Sequence, residues 1–413
     1  MNRGERLRLT IERPAAGGRM IARHDGAIVF VSGAIPGEVV DAEIEKVQRG
    51  TAWAATREVL ERSPDRLDGA PDGACGGSVF AHIAYERQRQ LKSAIIEDAF
   101  RRIGRITLES PVEVAASPVD GYRMRARLHV RNGRIGFFRE ATHSLCDAAP
   151  TRQLRDDTIE VISRLESSLA REPRPQVGDI EIAENIDASA RAVHLELVPD
   201  GDASRLATVA QVEGVTGASC AHPESARTME LFGSTTVGDQ ILGAQLDRHV
   251  RSFFQGNRYL LAPFVEWVLP HVGKGSLVDL YAGVGLFSLT ARAAGAGPIT
   301  AVEGDLFAAR DLKRNAKGEI TVVEMPVERF RAREKTAAVI VDPPRTGMSK
   351  EALARAVELD APSFVYVSCD VATLARDAAA LSAAGYDVVG AEIFDLFPGT
   401  AHVETMVSME RRD

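Results

Sequence analysis

Near the N-terminus apolar and polar residues alternate by twos in short runs, LRLTIER (Leu7 to Arg13), MIARHDGAIVFVS, EVVDAEIEKV and AWAATREVLER, separated by the turn pairs Asp25-Gly26 and Pro36-Gly37. A period of two with tight turns and little helical spacing predicts antiparallel strands, and residues 1–62 are read as one small barrel. The run SPDRLDGAPDGACGGS, rich in Pro, Gly and Asp, reads as a connecting loop. From about 84 to 105 the apolar spacing turns helical, predicting an amphipathic helix able to pack on the C-terminal part of the chain. YRMRARLHVRNGRIGFFRE then alternates again about Asn132-Gly133, a strong hairpin signal. One face carries Ala126, Leu128 and Val130, and the other carries Arg125, Arg127 and Arg131. A second hairpin is expected around Pro199 to Asp202, so residues 63–240 read as a mainly β central domain.

Beyond about 240 the pattern changes to apolar strands, SLVDLYAG, ITAVEGD, AVIVDPP and FVYVSCD, each followed by a helical stretch. Strand–helix alternation specifies a doubly wound, Rossmann-like α/β domain over 241–413, whose ligands sit at the carboxyl ends of the strands. The chain's 413 residues exceed one ordinary core, in keeping with several domains. No apolar run is long enough to span a bilayer, and MNRGERLRLTIERP has no signal-peptide core, so a cytoplasmic protein without a membrane partner is expected. A formal net charge of −8 argues against a globally basic nucleic-acid binder, which leaves clustered charge as the informative quantity. The Arg125–Arg127–Arg131 stripe has no carboxylate interleaved within its own strand, which favours phosphate contact over a merely solvated face. Phe137 and Phe138 lie beside it, one of them expected in the core. The four cysteines, Cys75, Cys146, Cys220 and Cys369, form no CxxC pair and no disulfide-framework spacing, so reduced thiols are expected.

The chemistry-bearing residues fall at predicted strand ends. Gly283 and Gly285 in DLYAGVGLF let the backbone approach a ligand, although the third glycine of a dinucleotide fingerprint is missing. Glu303 ends the next strand, where a carboxylate can take ribose hydroxyls, and the pair suggests an adenosine-bearing cofactor. Asp342 and Arg345 stand in the stiff DPPR loop. Cys369 follows FVYVS and precedes a helix, whose dipole is expected to lower the thiol's pKa and make it a nucleophile. Cys146 and Cys220 read as inert. Glu404, after FPGTAH, could remove a proton, with His402 orienting the loop.

The blocks SFFQGN (Ser252 to Asn257), DLYAGVG, VIVDPPRTG, YVSCDVATLARD and FPGTAHVET resemble, in order, the motifs of the RNA 5-methyluridine methyltransferases. The N-terminal GGRMIARHDGAIVFVSGAIPGE resembles the TRAM domain attached to many of them, an OB-like barrel. The resemblance implies S-adenosylmethionine as methyl donor, a uridine in structured RNA (ribosomal slightly over transfer RNA) as substrate, and a monomer. It also implies that Cys369 adds to C6 of uracil and that Glu404 removes the C5 proton. Gln255, Tyr281, Gly283, Gly285, Glu303 and Asp342 fall at cofactor-contacting positions, and Arg345 steadies the pyrimidine.

Several positions depart from the family pattern. Many relatives hold an iron–sulfur cluster on four cysteines around a CGGC segment, where this chain has only Cys75, with Ser78 at another ligand position, so no cluster and no metal is expected. SCDV replaces SCNP, and Asp370 is expected to raise the pKa of the neighbouring thiol. Leu286 stands where a polar residue is common. Two other functions are compatible with these departures. One is an RNA-binding or RNA-folding protein with impaired catalysis, against which Cys369, Asp342 and Glu404 all stand. The other is a methyltransferase acting on an exocyclic amine, which would need no cysteine.

Overall fold

The computed structural model describes residues 1–412 apart from 110, 141, 173–175, 224, 226 and 333. Strands Arg6–Pro14, Met20–His24, Ala27–Ser32, Val39–Gln48 and Thr51–Glu61 close into a barrel. The alternation in the sequence becomes inside and outside: Leu7, Leu9 and Ile11 of the first strand are buried while the residues between them face solvent. Asp25-Gly26 turns with both residues at positive φ, 48° and 79°, the twist that a two-residue hairpin requires.

The central sheet runs Met229–Gly233, Gly217–Ala221, Arg191–Leu197, Val177–Glu184, Arg125–Arg131, Arg134–Phe138, Leu145–Cys146. Helices Asp156–Leu169 and Leu206–Ala210 pack on it, with Leu165, Leu206 and Val209 meeting Leu128, Ile180 and Leu195. Asn132-Gly133 forms the expected hairpin turn, φ 53° and 75°. The second expected hairpin is absent. Arg191–Leu197 and Gly217–Ala221 run parallel, and a crossover replaces the turn. Asp202 accepts the Ser204 N–H and so starts a helical turn, after which Leu206, Val209 and Ala210 bury at helical spacing.

Two expectations about the central part need correction. Cys75 and Cys146 are not free thiols: they form a disulfide that ties the Pro/Gly-rich stretch to the sheet edge. Their 71-residue separation hid the pair, but Gly76 donates to the Phe138 carbonyl and Glu140 to that of Ala74, which lays the two segments side by side. The arginine stripe is not bare either. Arg125 pairs with Glu181 at 2.7 Å, and Arg127 with Asp179 at 2.5 Å and Glu196 at 3.2 Å. Asp179 and Glu181 come from the adjacent strand and Glu196 from the one beyond it, so the pattern within a single strand does not reveal them. Arg131 instead donates to the carbonyls of Val130 and Gly178 and lies over the Phe138 ring.

The C-terminal sheet has the order Thr321–Glu324, Ile299–Glu303, Leu277–Leu280, Ala338–Val341, Ser363–Ser368, Glu404–Arg411, Tyr386–Phe394, Val114–Ala115. Its first five strands are parallel, and Glu404–Arg411 runs antiparallel to both neighbours. The central strands are buried along their length, as expected for a sheet covered on both faces by helices. Helix Tyr85–Ala99 extends through a wider turn, Phe100–Gly104, and buries Ile96 and Phe100 among Leu374, Ala375 and Ala378 of helix Val371–Ala383. A separate hairpin, Thr236–Ile241 with Ala244–His249, crosses residue 240 and is bound to helix Leu306–Ala316 through Asp311 and Asn315.

Candidate active site

Strand Leu277–Leu280 ends in a tight loop before helix Leu286–Ala293. Tyr281, Gly283 and Gly285 all have positive φ, and the two glycines serve different ends. A side chain at Gly285 would strike Leu289 and Leu312 at 2.8 Å, so this position sets helix packing. A side chain at Gly283 would meet nothing within 4 Å, so this stretch of backbone faces open space. The Gly283 N–H donates to Glu303 Oε2 at 2.7 Å and that of Asp305 to Oε1 at 2.6 Å. Asp279 accepts the Ser288 N–H through Oδ2 and leaves Oδ1 buried without a partner. Leu286 is a buried core residue at the helix start.

SFFQGN approaches from the other side, held at both ends. Ser252 Oγ donates to Asp311 at 2.6 Å, and Asn257 Nδ2 donates to the Leu396 carbonyl and Ser117 Oγ. Next to it, Arg258 reaches buried Glu184 of the central sheet at 2.6 Å. Between these anchors Gln255 donates from Nε2 to Asp342 Oδ2 at 3.3 Å.

Cys369 and Glu404 meet through strand register. Ser368 pairs with Thr405 across the antiparallel ladder, which sets the next residue of one strand and the preceding residue of the other at the same edge. Glu404 is 3 % exposed. Burial, then the Asp342 charge, raises its carboxyl well above the usual range, with Arg345 pulling the other way. Burial likewise takes Asp342 to about 7, aided by Asp279 and Glu303. Asp279 itself is raised to about 7, chiefly by burial, and Glu303 is raised for the same reason.

The thiol departs from expectation. Cys369 is not activated by its helix in this state: burial first, then Glu404 and Asp342, push it up to about 11, while Arg345 opposes them. Asp370 is not the cause, because its carboxylate caps the helix by accepting the N–H groups of Ala372 and Thr373.

Cys369, Arg345 and His402 line one cavity with Ala16, Gly17, the Gly73 to Gly77 segment and Glu140. Its volume of about 320 Å³ is at the small end for ligand sites and suits a single planar ring. The wall built by the barrel turn and by the CGG stretch was missed in the sequence, where that stretch read as a linker; its glycine run was the available signal. Tyr281 lines a different hollow, with Glu328, Pro344 and Met348. Arg125, Arg127 and Arg131 lie on the central sheet and are not among the residues lining the Cys369 cavity.

Residues 1–55 match the TRAM domain model and residues 328–412 that of tRNA (Uracil-5-)-methyltransferase. The 23S rRNA (uracil(1939)-C(5))-methyltransferase RlmD of Halomonas elongata is 33% identical over 99% of this chain and 90% of its own length. The chain belongs to the RNA uracil-C5 methyltransferase family. The RlmD of Chromohalobacter salexigens is 34% identical, over 98% of this chain and 89% of its own. The crystal structure of Pyrococcus abyssi tRNA (uracil-54, C5)-methyltransferase with S-adenosyl-L-homocysteine shares the fold, with a TM-score of 0.79 at 21% identity, covering 97% of this chain and 99% of that one. Uracil-C5 methyltransferases of this family act on RNA with S-adenosylmethionine, and the residues here fit that donor. Buried Asp279, Glu303 and Glu404 together with half-buried Asp342 form an acidic wall that favours a cation, and the donor's sulfonium and ammonium are cationic. No helix among the described residues is long and apolar enough to cross a membrane, and no group of three or more His, Cys, Asp or Glu among them could hold a metal ion.

Proposed function

We propose that this uracil-C5 methyltransferase modifies one uridine in a loop of 23S-type ribosomal RNA through a covalent adduct on Cys369. The observation that carries the reading is the register that brings Cys369 and Glu404 to one sheet edge beside an acidic wall. Uracil C5 is a poor nucleophile, and addition of the Cys369 thiolate to C6 pushes electron density onto it. S-adenosylmethionine, when bound, supplies the electrophilic methyl group. Glu404 then takes the C5 proton, the electrons of that C–H bond re-form C5=C6, and the C6–S bond breaks to return the thiolate. Deprotonation of Cys369 is assisted once a cation neutralises the neighbouring carboxylates, because two of them hold the thiol up.

Gln255, Tyr281, Gly283, Gly285, Glu303 and Asp342 hold the donor in this reading, with Glu303 toward the ribose hydroxyls. Arg345, exposed at the cavity rim, steadies the pyrimidine. Arg125, Arg127 and Arg131 contact the RNA backbone, Arg131 contributing most because the other two must first give up carboxylate partners. The target base leaves its stack to enter a cavity of this size. The ribosomal substrate follows the two RlmD relatives above. We further assign a barrel over 1–62, an RNA-contacting unit drawn from 63–240 and a catalytic unit over 241–413 to which helix Tyr85–Ala99, strand Val114–Ala115 and the hairpin crossing residue 240 also belong, in a monomeric cytoplasmic protein without a membrane partner and without an iron–sulfur cluster. Incubating the protein with unmodified total RNA and methyl-labelled donor, then separating RNA by size and digesting to nucleosides, tests the assignment. Label in 5-methyluridine of the large ribosomal RNA is expected; label confined to transfer RNA would replace the substrate, and label in another nucleoside would overturn the reaction.

A further inference from the structure

The segment from Asp395 to Val403 joins strand Tyr386–Phe394 to Glu404, and Phe394 pairs with Glu404 across its base. A set of buried polar groups from distant parts of the chain holds this loop. Lys92, in helix Tyr85–Ala99, is 0 % exposed, and its Nζ donates to Asp395 Oδ1 at 2.5 Å and to the Phe397 carbonyl at 3.2 Å. One turn earlier Gln88 accepts the Gly399 N–H through Oε1 and donates from Nε2 to the carbonyls of Phe80 and Ile83. The Tyr122 hydroxyl donates to the Pro398 carbonyl.

A fully buried ammonium–carboxylate pair is costly to desolvate, and an apolar pair of similar volume commonly gives equal or greater stability. What apolar side chains cannot supply is direction. The Lys92 ammonium engages one carboxylate and one main-chain carbonyl at the start of the loop, which fixes the backbone just past Phe394, the residue paired with Glu404.

We propose that Lys92 is a positioning residue for the proton-removal step, holding the Asp395 to Val403 loop so that the Glu404 carboxylate faces C5 of the covalent intermediate. The proposal rests on the Cys369 adduct mechanism above. His402, at the far end of the same loop, lines the Cys369 cavity, so loosening the loop slows attack by Cys369 somewhat and slows more the steps that follow methyl transfer, removal of the C5 proton by Glu404 and cleavage of the C6–S bond. Methylated RNA then stays attached to the protein.

The test uses the full chain as wild type, Glu404→Gln, Lys92→Met and the double variant Lys92→Met/Asp395→Leu, with unmodified ribosomal RNA transcript and labelled S-adenosylmethionine. The double variant leaves no unpaired buried charge, and its cooperative melting is the check that it is folded while lacking the clamp. Denaturant-stable RNA–protein adduct and free 5-methyluridine are followed in single turnover. Both Lys92 variants are expected to slow adduct formation severalfold at most and to release product between about tenfold and a hundredfold more slowly. Wild-type release from a cooperatively melting double variant would overturn the proposal, as would equal slowing of adduct formation and release. Absence of any adduct from wild type and Glu404→Gln alike would overturn the covalent reading itself, and this proposal with it.

Discussion

Cys369 and Glu404 leave the sheet at the same level because Ser368 and Thr405 are the terminal pair of their antiparallel ladder. A nucleophile and a base set by one register divide the reaction between them. Cys369→Ala is expected to abolish 5-methyluridine formation, since the alanine methyl cannot add to C6. Glu404→Gln is expected to methylate once and stall, giving about one adduct per protein and a loss of turnover of about a thousandfold or more, within the range for a positioned general base plus its leaving step. Gel separation in denaturant with labelled donor reads both results. Free product from Cys369→Ala at wild-type rate would remove the covalent mechanism.

The acidic wall makes stability and donor binding depend on pH in opposite directions. Asp279 and Asp342 bind protons up to about 7 in the folded protein against an ordinary value near 3.8, so the fold holds more protons than the unfolded chain between those values. Their contribution to stability is therefore complete below about 3.8 and is lost as the pH rises through about 7. Asp279→Asn should melt like wild type in acid and be more stable by about 1–3 kcal/mol above neutrality. Cationic donor, by contrast, should bind more tightly as the pH rises and Asp342 ionises. Urea unfolding and calorimetric titration across this range check the two signs, and parallel stability profiles for wild type and Asp279→Asn would refute the first.

What the sequence disclosed and what it hid divide along physical lines. The parallel strands are near-continuous apolar runs with Asp279, Glu303, Asp342 and Cys369 at or near their carboxyl ends, so the parallel sheet and its ligand edge follow from local patterning, whereas the strand order does not. The Cys75–Cys146 bridge, the carboxylates facing Arg125 and Arg127, and the Lys92 clamp all join segments distant along the chain. No local period encodes such pairings. The Cys369 thiol illustrates the same limit: the helix start behind it was legible, whereas the burial and the Glu404 and Asp342 charges that push it up come from tertiary packing.

The disulfide offers a separate test. Closing a loop of 71 residues restricts the unfolded chain, and the chain-entropy relation gives a contribution on the order of 4 kcal/mol. Cys75→Ser/Cys146→Ser, or addition of reductant to wild type, should lower unfolding stability by about 2–4 kcal/mol. Because the Gly73 to Gly77 segment walls the Cys369 cavity, KM for RNA should rise more than kcat falls. Identical unfolding curves with and without reductant would show that the bridge contributes nothing in solution.

Phosphate contact by the central sheet can be separated from its internal ion pairs through salt dependence. Among the described residues Arg131 meets carbonyls and an aromatic ring and no carboxylate, and Arg131→Ala should lower the slope of log affinity against log salt by about 0.7–0.9. Arg127 is already neutralised by Asp179 and Glu196, and binding RNA requires it to exchange those partners. Its replacement by alanine should therefore change the slope by clearly less, while leaving Glu196 and Asp179, the latter still bonded to His129, facing the RNA without their arginine. Arg127→Ala/Asp179→Asn lowers that repulsion, Glu196 remaining, and should bind RNA more tightly than Arg127→Ala alone. Equal slopes for wild type and Arg131→Ala in filter-binding titrations would place the RNA backbone away from this face and leave Arg345 at the cavity rim as the contact to pursue.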